Sequence, residues 1–207
     1  MTFSIDSLNR LRYEIKGRIS DKRFKHTLGV EKMAKKLGEI LLPDKVSELC
    51  AAALLHDVAK ELTYDEHVSL LEASNVKYTQ EDLRIKPALH SLAGAPLICR
   101  DYPEFATENV LSAVINHTLG APHMSVFDEI IFISDYAEEG RTYPVCIDVH
   151  NMLMTRLSTD KTFEDNLTIL HKASLKAIES TISALSFRGE KINSKTLLTK
   201  KYLEEIL

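Results

Sequence analysis

The 207-residue chain has no tryptophan, three cysteines, seven glycines and six prolines. Cys50, Cys99 and Cys146 stand far apart and never in a C-x-x-C pair, which argues against a disulfide framework or a cysteine-bound metal and fits a reducing cytoplasm. With so few turn-forming residues, long helices are favoured over many short strands. A long apolar run is missing as well. The longest, Leu49 to Leu55, falls far below the roughly 18 residues that span a bilayer, and the opening MTFSIDSLNR lacks the charged-then-apolar pattern of an export signal. The expectation is a cytoplasmic protein, neither exported nor inserted in a membrane. Nor is there an excess of positive charge: 26 Lys and Arg against 30 Asp and Glu leave −4, which speaks against a general nucleic-acid binder.

What is there is helical periodicity. Residues 4–19 carry Leu8, Leu11, Ile15 and Ile19 at helical spacing, and residues 21–41 place His26, Val30, Met33, Leu37 and Ile40 on one stripe, so His26 faces inward. A third helix is expected from an Asp44 cap through SELCAAALLHDVAK, and Thr63 with Glu66 has the spacing of a capping box for a fourth. Pro87 suits the first turn of a helix through PALHSLAGAPLI, whose far half Gly94 and Pro96 call into question. Thr107 can cap ENVLSAVINHT, Ser125 can open VFDEIIFISDYAEE, and residues 145–157, 162–187 and a closing segment continue the pattern. With no hairpin signal, internal repeat or long linker, the chain reads as an all-α, single-domain helical bundle over residues 1–207.

The most informative string is LLHDVAKEL, where His56 and Asp57 adjoin within a strongly apolar segment and Lys60 follows one turn later. An unpaired carboxylate in an apolar interior is strongly unfavourable, and a divalent cation held by imidazole and carboxylate relieves it. Two neighbours cannot complete a ligand set. His26 on its apolar stripe, His90 after Ala88 and Leu89, His117 three residues beyond Val114, and Asp135 after IIFIS are the further candidates. The remaining internal histidines His67, His150 and His171 read as hydrogen-bonded core residues.

The order His26, His56–Asp57, His90, His117, Asp135, together with RFKHTLGV, LLHDVAKEL, HSLAGA, NHTLG, MSVFDEIIFISDYAEEGR and FRGEKI over roughly residues 20–195, resembles the HD-domain metal-dependent phosphohydrolases of the YqeK type. That branch comprises symmetrical bis(5'-nucleosyl)-tetraphosphatases, which cut diadenosine tetraphosphate and related dinucleoside polyphosphates to ADP with a bound iron. The resemblance implies His26, His56, Asp57 and Asp135 as core metal ligands of a divalent transition ion, iron foremost and manganese or another as substitutes. His90 and His117 would lie beside the phosphates or hold a second ion. A metal core over about residues 20–141 would carry the C-terminal helices, about 145–207, packed on it and closing the nucleotide pocket.

Hydrolysis of a phosphoanhydride at neutral pH needs an activated water and positive charge on the phosphoryl oxygens, and attack by metal-bound hydroxide would meet both needs. The expected catalytic residues are Asp57, Lys60, His90 and His117. Arg23, Lys60, His90, His117 and Arg141 are the expected substrate contacts, and the resemblance adds Arg188, with Lys191 beside it, closing over the nucleotide. The chain departs from its relatives in two places. Where they read HTTGR it has His117-Thr118-Leu119-Gly120-Ala121, with His123 a nearby stand-in for the arginine, and where they read ADYIEPGR it has SDYAEEGR. The rival readings are an HD-type phosphohydrolase of another nucleotide, a non-catalytic nucleotide-binding regulator, and a metal-free helical interaction module; a homo-oligomer is compatible with all of them.

Overall fold

Serine and threonine side chains open most of the helices. In the computed structural model, which describes residues 2–207, Ser4, Ser20, Thr63, Thr107, Ser125 and Thr162 each accept a hydrogen bond from the backbone N–H three residues on. They start α1 (Ile5–Arg18), α2 (Asp21–Leu41), α4 (Tyr64–Glu72), α7 (Glu108–Asn116), α8 (Val126–Ala137) and α10 (Phe163–Phe187), preceded in the middle of the chain by α3 (Val46–Leu55), α5 (Gln80–Arg84) and α6 (Leu89–Asp101). The helices α9 (Pro144–Arg156) and α11 (Ser194–Ile206) complete the set, and no strand occurs among the described residues. The all-α bundle is as expected. No helix is long and apolar enough to cross a membrane.

Four helices form the centre: α2 packs on α3 and α8, and α7 packs on both of those. Helix α6 covers α7, α4 covers α6, and α1 lies on α3. The C-terminal helices α9 and α10 pack on α8 and on each other, with α11 against α10. Leu11, Ile15, Leu37, Leu49, Leu54, Phe105 and Ile130 are fully buried, each worth about 1.5–3 kcal/mol of transfer free energy.

Two segments differ from the sequence expectation. The third helix begins after a 3₁₀ turn, Pro43–Lys45, with no side-chain cap, so Asp44 lies inside that turn rather than at the helix start. It also ends at Leu55 rather than at Lys60; beyond it the chain winds in tight turns, with Val58 N on Leu55 O at 3.1 Å and Lys60 N on Asp57 O at 2.9 Å. Residues 48–59 are all buried, so no polar face marks where the helix gives way.

Helix α6, by contrast, starts after a 3₁₀ turn, Lys86–Ala88, and runs straight through Gly94 and Pro96 to Asp101. A Cβ at Gly94 would lie 2.7 Å from Val114 Cγ1, so the bare glycine is what lets α6 and α7 come together. An interior proline costs about 3 kcal/mol. Burial of Leu92, Leu97 and Ile98 around it offsets that cost.

Candidate metal centre

Five segments deliver six polar side chains to one point in the core. His26 comes from α2, His56 and Asp57 from the end of α3, His90 from the first turn of α6, His117 from just past α7, and Asp135 from the last turn of α8. His56, Asp57, His90 and His117 are buried, whereas His26 and Asp135 are partly open to solvent.

Every imidazole is aimed by its Nδ1. His56 donates to Ala53 O at 2.6 Å, His90 to Pro87 O at 2.9 Å, and His117 to Val114 O at 2.7 Å, each a carbonyl three residues earlier. His26 donates instead to the carboxylate of Glu138 at 3.2 Å. With Nδ1 carrying the proton, each Nε2 presents a lone pair to the centre.

Asp57 stands in the middle, and its two oxygens face different ways. Oδ2 lies 3.4 Å from His56 Nε2 and 3.9 Å from His26 Nε2; Oδ1 lies 3.1 Å from His90 Nε2 and 3.6 Å from His117 Nε2. Asp135 Oδ1 is 2.9 Å from His26 Nε2 and 3.8 Å from His56 Nε2. Three triads have ligand atoms within 4.8 Å of one another: His26, His56 and Asp57; His56, His117 and Asp135; and Asp57, His90 and His117.

These donors fit a divalent cation. The Nε2 atoms of His26 and His56 are buried and have no hydrogen-bond partner, although buried polar atoms almost always have one. The Nε2 atoms of His90 and His117 are 3.1 Å apart, so two lone pairs point at each other. Imidazole nitrogens and carboxylate oxygens at this density are a ligand set for a divalent metal.

The electrostatics agree. Burial opposes ionisation of Asp57, but the pull of His56 and the close imidazoles of His117 and His90 outweigh it and hold its carboxyl well below the usual range. Burial pushes His90 down to about 4, leaving it neutral and able to ligate at neutral pH. Burial also lowers Lys60, against the opposing attraction of Asp57 and Asp135.

Three cations flank the cluster as the sequence suggested. Arg23 Nη1 lies 2.7 Å from Asp57 Oδ2, Arg141 Nη2 lies 2.6 Å from Asp135 Oδ1, and Lys60 Nζ lies 3.1 Å from His90 Nε2. Arg188 is not brought to the candidate ligands; it pairs with Glu190 at the exposed end of α10. Lys191 is likewise exposed. His123 is exposed in a left-handed conformation (φ 60°) with its ring against Tyr202. The turn at Leu119 is fastened to α11, where the Thr196 hydroxyl donates to Leu119 O at 3.0 Å. His67, His150 and His171 are satisfied by Ala59 O, Ala137 O and Glu129 respectively.

Two residues at the centre escaped the sequence reading. Thr118 Oγ1 lies 3.0 Å from His117 Nε2 and 3.2 Å from that of His90. Glu138 is buried, and a Cβ at Gly29 would fall 2.3 Å from its Oε2, so the glycine on α2 makes the room in which Glu138 holds His26.

Clefts adjoin the cluster at two places. One of about 790 Å³ is walled by Arg23, His26, Glu138, Arg141 and Tyr143. Another of about 330 Å³ is walled by Lys60, Tyr64, His67, Lys86 and His90.

Known proteins share this architecture. The HD domain family model matches residues 23–140. A symmetrical bis(5'-nucleosyl)-tetraphosphatase of Halalkalibacterium halodurans is 31% identical over 192 residues, covering 91% of this chain and 92% of its own. Its namesake from Staphylococcus aureus is 30% identical over 190 residues, covering 89% and 94%. A solved structure from Clostridium acetobutylicum, described as a predicted HD superfamily hydrolase involved in NAD metabolism, matches with a TM-score of 0.81 at 27% identity over 100% of both chains.

Proposed function

The chain belongs to the HD-domain family, and on that premise we propose that it is a metal-dependent hydrolase that cuts diadenosine tetraphosphate, or a related dinucleoside polyphosphate, symmetrically into two nucleoside diphosphates. The observation that carries the reading is the buried cluster around Asp57, with two histidine nitrogens that face carboxylates but make no hydrogen bond, opening onto clefts lined by cations. His26, His56, Asp57 and Asp135 would hold one divalent ion, and Asp57, His90 and His117 a second. Iron is the ion we infer, with manganese as substitute, because a mixed imidazole and carboxylate set suits first-row ions of intermediate softness. When bound, such an ion polarises a phosphoryl oxygen and lowers the pKa of water.

The protein's own groups do the rest. Arg23 and Arg141 offer planar forks to phosphate oxygens from the wall of the larger cleft, and Lys60 offers a point charge from the smaller. Asp57 joins the two ends and orients the attacking water. The depressed pKa of His90 and its Nδ1 hydrogen bond support a neutral, ligating ring rather than a proton donor. The free cysteines accord with a reducing cytoplasm.

The test is anaerobic loading with iron or manganese, followed by incubation with diadenosine tetraphosphate and chromatography of the products. ADP alone is expected. AMP with ATP, or an inert protein with full metal content, overturns the proposal.

A further inference from the structure

The two clefts share no lining residue, and they meet the ligand cluster from different ends. The larger holds Arg23 and His26, on the side of Asp57 Oδ2; the smaller holds Lys60 and His90, on the side of Oδ1. Both volumes, about 790 and 330 Å³, lie in the range of small-molecule pockets. Each cleft repeats one plan: a ligand histidine, a cation beside it, and a tyrosine. Tyr143 is 72% exposed in the larger cleft, and Tyr64 is 38% exposed in the smaller, steadied by the Lys86 ammonium 5.0 Å from its ring centroid. A mononucleotide needs one such arrangement; a molecule with a base at each end needs two.

Resting on the hydrolase reading above, we propose that each cleft takes one nucleoside of a dinucleoside polyphosphate, with Tyr143 and Tyr64 as the platforms on which the two bases stack. The phosphate chain then crosses the cluster with its midpoint over Asp57. Water adds to one of the two inner phosphorus atoms, the bond from that atom to the central bridging oxygen breaks, and the oxygen leaves with the other half and takes up a proton. Two nucleoside diphosphates result. The cut is symmetrical because the bases are anchored at both ends.

The absence of native tryptophan provides the test. In the metal-loaded Tyr64→Trp protein the only indole sits in the smaller cleft. Diadenosine tetraphosphate with a methylene in place of its central bridging oxygen should quench it saturably. Adenosine tetraphosphate, whose single base goes to the arginine-bearing cleft, should quench it several-fold less. Equal quenching by both, or none by either, overturns the assignment. In a parallel assay Tyr64→Ala should lower kcat/KM for diadenosine tetraphosphate on the order of tenfold more than for adenosine tetraphosphate, chiefly through KM, the size expected of a lost base stack. An equal loss for both substrates also overturns it. If the two-base analogue quenches the indole while wild-type protein releases no ADP from diadenosine tetraphosphate, the hydrolase reading fails and the two-cleft assignment stands.

Discussion

The two ends of the ligand cluster are built from the same donors but in different electrical settings. At the His26 end, two carboxylates, Asp135 and Glu138, touch the imidazole, and Arg141 balances them. At the His90 end the rings of His90 and His117 meet each other, a threonine hydroxyl and the Lys60 ammonium, with Asp57 as the nearest anion. The first end is rich in negative charge and partly open; the second is drier and closer to neutral. A cation would therefore be held by charge at one end and by lone pairs at the other.

Removing Asp57 erases the contrast, since it belongs to both ends. Asp57→Ala is expected to abolish metal retention and lower hydrolysis on the order of a thousandfold or more, with circular dichroism reporting an intact helical fold. Elemental analysis after dialysis reads the first effect; normal metal content in that variant would contradict the shared role.

A smaller effect is expected from Glu138→Gln, which leaves the ligands in place but weakens the partner of His26 Nδ1. Metal affinity should fall about tenfold to a hundredfold. His90 Nδ1 has a backbone carbonyl as its nearest partner, so no carboxylate change reproduces this at the other end.

The ends should also part with pH. Burial alone would lower His26, but the adjacent carboxylates of Asp135 and Glu138 outweigh it and raise its pKa, whereas burial pushes His90 down to about 4. In metal-free protein, imidazole NMR should show His26 protonated above its ordinary value of about 6.5 and His90 neutral until the pH approaches about 4. Protons then compete with metal at the His26 end first as pH falls. For stability the signs are opposite. His26 protonation favours the metal-free fold below about 6.5, a contribution lost as pH rises through its folded pKa. His90 disfavours the fold progressively as pH drops from about 6.5 toward about 4. Thermal melts of His26→Gln and His90→Gln against wild type should diverge in those two windows.

The smallest effect belongs outside both ends. Arg188→Ala should change kcat/KM by only about twofold to threefold, because its guanidinium is exposed and paired with Glu190. A loss as large as that from Arg23→Ala would place the C-terminal helices over the nucleotide after all.

The helices were legible wherever a hydroxyl cap preceded an amphipathic stripe, as at Thr63, Thr107 and Ser125. They were not where burial is all-round, as beyond Leu55, nor where a close contact depends on a partner helix, as at Gly94. The six candidate ligands stood out because each is a polar residue on an otherwise apolar stretch. Glu138 did not, being one of two adjacent glutamates at a helix end. Its role depends on the missing side chain of Gly29, more than a hundred residues away. The small α5 could have been found from the Thr79–Asp82 capping pair.

Three of the four imidazoles take their orientation from a carbonyl in their own turn of backbone. Their bearing is consequently a local property, independent of which aliphatic groups happen to fill the space behind. Substitutions can drift through the interior, one methyl traded for another, while those three nitrogens go on pointing inward.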